Sequence, residues 1–137
     1  MNFWMLKLIK NWSEPKAYSI AIGLTAVVIF LSLVSLPSLG KSIIQVKNSD
    51  KFGHTLAYFG LTLSWLFATR KHYTLLKHKL ILACVLIGFG IILEGLQEVL
   101  TSKRTADLYD MGANALGVIA ATLTFETLRS WFNSMLK

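Results

Sequence analysis

The stretch that decides the fold is LILACVLIGFGIILEGLQEVL, residues 80–100, in which fourteen uncharged residues precede the first acid. About 20 apolar residues in a helix span the roughly 30 Å hydrocarbon core of a bilayer, so this stretch has the length of a transmembrane helix. Three further apolar segments lie outward from it along the chain, at residues 17–36, 52–69 and 111–128. The sequence therefore predicts an all-α, polytopic membrane protein with four transmembrane helices, packed as a compact bundle in a single domain of residues 1–137.

The composition is also typical of a membrane protein. Hydrophobic residues make up 54% of the chain and charged residues 15%, and the mean hydropathy is +0.55. Soluble domains carry about 25% charged residues. The net charge of +7 is best explained in so apolar a chain by basic loops that contact anionic lipids. We therefore predict membrane lipids, and no nucleic acid, as partners.

The N-terminal segment has two interpretations. Basic residues before an apolar run and small residues after it are typical of a signal peptide, but this run of about 20 residues exceeds the usual 7–15. We interpret it as a first membrane helix that is not cleaved. Within residues 1–14, Met5, Leu8 and Trp12 share one helical face, which predicts a short interfacial helix.

The distribution of basic residues predicts the orientation of the bundle. Nine Lys and Arg residues lie in the two terminal segments and in the loop between the second and third helices, and five lie on the opposite side. The positive-inside rule assigns the side with nine to the cytoplasm, so both termini are predicted to be cytoplasmic. Most acids then fall on the outer side: Asp50, Glu94, Glu98, Asp107 and Asp110.

The outer end of the second predicted helix carries a polar stripe. Asp50, His54 and Tyr58 are four residues apart and share one face, which Lys51 can join. The alternative for Asp50 and Lys51 is that they are ordinary solvated charges. Among these side chains His54 is the one suited to proton exchange near neutral pH.

Two further stripes lie at the end of the third helix and the start of the fourth. Glu94 and Gln97 are three residues apart, and Asp107, Asp110 and Asn114 follow helical spacing into the fourth helix. Asp110 or a neighbour is a candidate cap for the N-terminus of that helix. The structural alternative for Glu94 is a buried ion pair with His54 that holds two helices together.

Ionisable residues at membrane depth are costly, so a group of them needs a reason. The three stripes lie at similar depth, and we expect them to converge on one pocket open to the outside. Lys51 and Arg104 are the expected partners of the carboxylates. Of the two, only Arg104 can donate hydrogen bonds to two oxygens of one carboxylate or phosphate at the same time. No Cys/His zinc spacing occurs, and we assign neither a metal ligand nor a cofactor.

Small residues predict where helices approach closely. Ala113, Gly117 and Ala121 form a ladder of small residues on the fourth helix. We extend this expectation to glycines of the second and third helices: Gly53, Gly60, Gly88 and Gly90. The single cysteine, Cys84, excludes an intramolecular disulfide and is expected to pack inside the bundle.

The polar residues together resemble a known family. Their pattern reads Asp50-Lys51-x-x-His54-x-x-x-Tyr58, Glu94-x-x-Gln97 and Arg104-x-x-Asp107-x-x-Asp110-x-x-x-Asn114-x-x-Gly117. This resembles the VanZ-like family of small bacterial integral membrane proteins, over residues 50–125. The family is named for a protein that confers low-level resistance to teicoplanin, a lipid-tailed glycopeptide. The resemblance therefore implies a place in the bacterial cytoplasmic membrane and a role in the cell envelope.

Three functions follow as hypotheses. In the first, the pocket binds the polar head group of a lipid, a lipid-linked envelope precursor or a lipoglycopeptide antibiotic, and Lys51 and Arg104 contact its phosphate or carboxylate. In the second, the protein is a membrane-embedded hydrolase or transferase whose acids and His54 hold a divalent cation or act as acid and base. In the third, the polar residues only lock the helices together. No ordinary nucleophile motif occurs, so we assign no catalytic residue and no oligomeric state.

Overall fold

The chain forms four α-helices in a computed structural model that describes residues 14–33, 49–70, 76–100 and 107–135. They are α1 (Glu14–Leu33), α2 (Ser49–Ala68), α3 (Leu76–Leu100) and α4 (Leu108–Met135). The described ranges contain no β-strand, which confirms the all-α class. The predicted interfacial helix and Arg104 lie outside the described residues.

Every helix begins three or four residues earlier than its predicted apolar segment. The residues added at these N-termini are mainly polar, so a search for apolar runs does not detect them. They remain helical because the first backbone N–H groups of a helix can be satisfied by caps or water. At the other end α4 reaches Met135, seven residues beyond its predicted end.

Three of the four helices are long and apolar enough to cross a membrane: Pro15–Leu33, Leu76–Leu100 and Leu108–Trp131. Their outward surfaces carry large exposed apolar side chains such as Phe30, Val99 and Leu123. Because an exposed apolar surface of this extent suits lipid rather than water, the fold supports a membrane protein. Helix α2 is not among the three, and its place as a fourth crossing stays a prediction.

Helix α2 lies at the centre of the bundle, where it contacts α1, α3 and α4. Its first turns lie beside the last turns of α3, where His54 Nδ1 is 3.8 Å from Glu94 Oε1, and near the middle of both helices Tyr58 packs on Phe89 with ring centroids 6.4 Å apart. Its last turns meet the second half of α4, where Phe67 and Phe125 form an edge-to-face pair with centroids 5.1 Å apart. Helices α2 and α4 therefore run in the same direction, and α3 runs against them.

Two groups of buried side chains hold the helices together. The larger joins α2, α3 and α4 through Tyr58, Leu61, Ala83, Leu86 and Val118. The smaller joins α1 to α2, where alanines of both helices allow close packing beside Trp65. The indole N–H of Trp65 donates to Thr25 Oγ1 at 3.1 Å, so α1 is also tied to α2 by a polar contact.

The closest approach of two helices occurs at Gly117. A Cβ atom there would lie 2.3 Å from the Thr55 carbonyl oxygen of α2, a separation that no side chain tolerates. The Thr55 hydroxyl donates to the Ala113 carbonyl at 3.2 Å across the same contact. Ala113 and Ala121 are buried, so the predicted ladder of small residues is confirmed.

The other expectations for small residues are mostly wrong. A Cβ at Gly53, Gly60 or Gly88 would have no neighbour within 4 Å, because these glycines do not face another described helix. Gly90 does behave as expected, since a Cβ there would lie 3.1 Å from the Tyr58 ring. Cys84 is exposed rather than packed inside, because it lies on the outer face of α3.

Candidate functional site: a polar cluster at one end of the bundle

Six polar side chains meet at the end of the bundle where α2 and α4 begin and α3 ends. We call them the polar cluster: Lys51, His54, Glu94, Asp107, Asp110 and Asn114. Helix α2 supplies two, α3 one and α4 with its preceding residue three. The predicted stripes of the three helices thus do converge.

Asp107 caps the N-terminus of α4. Its Oδ1 accepts a hydrogen bond from the Tyr109 backbone N–H at 2.8 Å, and its carbonyl accepts from the N–H groups of Asp110 and Met111 at 3.0 and 3.1 Å. The prediction that Asp110 or a neighbour caps this helix is confirmed, and the capping residue is Asp107. The Tyr109 N–H, followed by the Lys51 ammonium, lowers the pKa of the Asp107 carboxyl.

Lys51 joins the start of α2 to the start of α4. Its Nζ donates to Asp110 Oδ1 at 3.1 Å and to Asp107 Oδ2 at 3.2 Å, and lies 5.2 Å from the centre of the Tyr109 ring. The hydrogen bond to Asp110 is the main cause that raises the pKa of Lys51. The predicted pairing of Lys51 with these carboxylates is confirmed, and 34% of its side chain stays accessible.

His54 is the side chain on which all three helices converge. Its Nδ1 lies 3.0 Å from Asn114 Oδ1 and 3.8 Å from Glu94 Oε1. On the other side of the ring, its Nε2 lies 3.9 Å from Asp110 Oδ2. The imidazole therefore stands between carboxylates of α3 and α4, with one ring nitrogen turned toward each.

Glu94 brings a carboxylate into the interior of the bundle. Only 3% of the residue is exposed, and Asn114 Nδ2 donates to its Oε1 at 3.5 Å. A buried carboxylate is tolerated only when charges or hydrogen bonds compensate for the lost water. Asn114 and His54 provide these contacts. The proximity of Glu94 to His54 agrees with the structural alternative, in which the two side chains hold α2 and α3 together.

The remaining predicted site residues lie around the cluster or outside the described part. Tyr58 is buried one turn after His54, with its ring against Gly90, and contributes to the core. Gln97 is buried one turn after Glu94. Asp50 belongs to α2, but its side chain, like the whole of Arg104, lies outside the described residues.

Two contributors were not singled out from the sequence. Thr55 bridges α2 and α4, and its position four residues after Lys51 was the available signal. The Tyr109 ring lies under the Lys51 ammonium, and its position next to Asp110 in the sequence was the only available signal for this contact. In both cases the contact depends on how α2 and α4 pack, which local spacing does not show.

The cluster contains a set of atoms that could hold a metal ion. One nitrogen of His54 and one carboxylate oxygen each of Glu94 and Asp110 lie within 4.8 Å of one another. The sequence analysis assigned no metal ligand, although its enzyme hypothesis allowed the acids and His54 to hold a divalent cation. The surface hollows that we describe border Glu126 and Ser130 at the other end of α4, so the predicted open pocket stays a prediction.

No family model, no curated protein and no solved structure matches this chain significantly. The resemblance to the VanZ-like family thus depends on the motif residues alone and stays a prediction.

Proposed function

We propose that this protein is a VanZ-like protein of the bacterial cytoplasmic membrane whose polar cluster binds a polar head group. The ligand class is a membrane lipid, a lipid-linked envelope precursor or a lipoglycopeptide antibiotic of the teicoplanin type. The observation that carries the proposal is the convergence of charged side chains from three helices at one end of an apolar bundle.

The surroundings of the cluster suit an amphiphile. Lys51 and Asp107 are accessible at the bundle end, with 34% and 41% of their side chains exposed. Exposed apolar side chains flank them on each contributing helix: Phe52, Val99 and Leu108. A lipid could lay its acyl chains along this apolar surface while Lys51 donates to a phosphate or carboxylate oxygen of its head group.

Helix α2 serves as the fourth crossing in this proposal. Its 20 residues are about 30 Å long, enough for the hydrocarbon core. Its polar first turns lower its hydropathy, but Lys51 and His54 find their partners inside the bundle rather than in lipid. An even number of crossings places both termini on one side, and the positive-inside rule makes that side the cytoplasm.

The proposal predicts that a ligand co-purifies through the cluster. Lipids bound to gently purified protein would be identified by mass spectrometry for wild type, Lys51→Ala and His54→Ala. We expect a specific lipid in wild type and at least about a tenfold loss in both variants, because each removes a group that contacts or orients the head group.

Lys77→Ala is the matched control, since Lys77 is an exposed lysine at the opposite end of the bundle. Equal lipid content in all four proteins would contradict the proposal. Arg104→Ala tests the predicted role of Arg104 in the same series.

The second candidate is a membrane-embedded hydrolase or transferase acting on a lipid-linked substrate. The position of His54 between two carboxylates favours it, because an imidazole so placed can move a proton. Turnover of a bound lipid that His54→Ala abolishes while binding persists would establish the enzyme. Binding of the lipid without turnover in wild type would contradict the enzyme and support the head-group-binding role.

A further inference from the structure

We propose that His54, Glu94 and Asp110 bind a divalent transition-metal cation, Zn²⁺ or Mn²⁺. The three ligand atoms come from α2, α3 and α4 and lie within 4.8 Å of one another. This deepens the proposed function, because a cation at this place would be the contact for a head-group oxygen. Only that last role rests on the proposed function, since metal binding is measurable without a lipid.

Asn114 determines which nitrogen of His54 is free to bind. Its Nδ2 donates to Glu94 Oε1 at 3.5 Å, so its Oδ1 is the atom that faces His54 Nδ1 at 3.0 Å. Since Oδ1 only accepts, Nδ1 must carry the proton. A second hydrogen-bond partner that fixes the tautomer in this way is the usual companion of a metal-binding histidine.

The other ring nitrogen then faces a carboxylate without a proton between them. Nε2 of the neutral ring carries a lone pair, and Asp110 Oδ2 lies 3.9 Å from it. Two acceptors in this position repel unless something positive lies between them. An additional proton would make a charge-assisted hydrogen bond of about 2.7–2.9 Å, whereas two metal–ligand bonds of about 2.0–2.1 Å join atoms up to about 4.2 Å apart.

Glu94 completes the set from the buried side. Its Oε1 lies 3.8 Å from His54 Nδ1, so the carboxylate must turn toward Nε2 to share an ion with Asp110. Only 3% of Glu94 is exposed. The ligand atoms lie within 4.8 Å of one another, and rotation of the two carboxylates about their side-chain bonds brings their oxygens closer to one ion. A cation here would offset the burial of this charge.

Lys51 and a bound cation would use different oxygens of Asp110. Lys51 engages Asp107 and the Oδ1 atom of Asp110. A divalent ion held by Oδ2 of Asp110 would leave both contacts of Lys51 in place.

The donor set selects the class of metal. One imidazole nitrogen with carboxylate oxygens suits Zn²⁺ and Mn²⁺, whereas Mg²⁺ and Ca²⁺ prefer oxygen ligands alone. Three protein ligands leave at least one coordination position open, as in catalytic zinc sites. A phosphate or carboxylate oxygen of the head group would take that position.

The test is metal binding by the purified full-length protein at neutral pH. We expect about one Zn²⁺ or Mn²⁺ per chain by elemental analysis and titration calorimetry, and at least a tenfold weaker affinity in His54→Gln, Glu94→Gln and Asp110→Asn. The control variants are His78→Ala and Glu98→Gln, which should bind as wild type does. Absence of binding in wild type, or equal loss in the controls, would overturn the site.

A measurement on wild type keeps the test valid if a variant does not fold. X-ray absorption of the zinc-loaded protein should show nitrogen and oxygen ligands at about 2.0–2.1 Å with one imidazole. A sulfur ligand or two imidazoles would place the ion elsewhere and overturn the assignment. Lipid retained by metal-free protein would defeat the cation's role as the head-group contact, whereas a bound metal with no lipid retained would defeat the proposed function and leave the metal site.

Discussion

Two aspartates three residues apart have different tasks at the start of α4. Asp107 turns its Oδ1 back to the Tyr109 N–H and caps the helix. Asp110, one turn further on, points its carboxylate across to Lys51 and His54 of α2. The cap thus leaves Asp110 free for contacts between helices, and the two carboxylates should respond differently to substitution.

The lowered pKa of Asp107 predicts a pH dependence of stability. Because its folded pKa lies below the ordinary 3.8, its contribution is complete above that value and is lost as the pH falls through the folded pKa. Asp107→Asn removes this contribution while its amide oxygen can still cap α4. Below about pH 4 the unfolding temperature of wild type should therefore fall more steeply than that of the variant.

The measurement is thermal unfolding in detergent between about pH 5 and pH 3. Glu98→Gln removes an exposed acid of α3 and should keep the wild-type slope. Identical slopes for wild type and Asp107→Asn would show that the cap and the Lys51 contact do not favour the charged form.

Sequence spacing predicts part of the cluster and leaves part undetermined. The ion pairs of Lys51 with the two aspartates could be predicted from the sequence, since opposite charges at similar membrane depth stabilise one another. Which aspartate caps could not be predicted, because both have suitable side chains and only the path of the chain before α4 decides. The grouping of His54 with Glu94 and Asp110 depends on the rotation of three helices about their axes, which the spacing within each helix does not contain.

At the scale of the helices, α2 differs from its neighbours. It is the least suited to lipid by hydropathy, and like α3 it contacts all the other described helices. Its buried face carries Thr62 and Tyr58 as well as apolar residues. A helix surrounded by other helices needs fewer apolar side chains than one that faces lipid, which explains why hydropathy detects α1, α3 and α4 more readily.

Gly117 sets the distance between α2 and α4. In Gly117→Ala the new methyl group would lie 2.3 Å from the Thr55 carbonyl oxygen, so the helices must separate. We expect a loss in the free energy of unfolding of about 1–3 kcal/mol or more, together with weaker contacts of Lys51 and His54 across the same interface. Chemical or thermal unfolding in detergent measures the first effect.

Gly112→Ala is the matched control on the same helix, since a Cβ there meets no neighbour within 4 Å. Alanine is the better helix former, so this variant should be neutral or more stable by up to about 1 kcal/mol. Equal effects of both substitutions would mean that helix propensity, not the close approach, determines the outcome at Gly117.

The existence of the four helices follows from the apolar segments, but their starts do not. The N-terminal turns of α2 and α4 contain Lys51 and Asp110, which a hydropathy criterion assigns to the loops. Besides the caps or water available to any helix start, these two residues have each other as partners across the bundle. This tertiary contact supports the first turns of α2 and α4 beyond the segments that composition alone predicts.

At the scale of the whole molecule, charge is distributed unequally between the two ends. The acidic end holds the polar cluster, and the opposite end holds basic residues of all four helices or their boundaries: Lys16, Arg70, Lys77, Lys79 and Arg129. Lys79 also pairs there with Glu126. The two ends therefore present different surfaces to the two sides of a membrane.

Labelling of cysteines in intact cells tests the orientation. In a Cys84→Ser background, Glu98→Cys at the acidic end should react with a membrane-impermeant maleimide. Lys77→Cys at the basic end should react only after the membrane is permeabilised. The reverse pattern would invert the topology, and reaction of both in intact cells would contradict a single orientation.

The central position of α2 has a consequence for how the chain is made. The groups that neutralise Lys51 and accept from His54 lie 56–60 residues further along the chain. At a synthesis rate of about 5–20 residues per second, α2 leaves the ribosome several seconds before α4 exists. During that interval Lys51 lacks its two aspartate partners of α4. With α2 as the proposed fourth crossing, we expect its final seating in the bilayer to be a late step of biogenesis, completed by the arrival of the last helix.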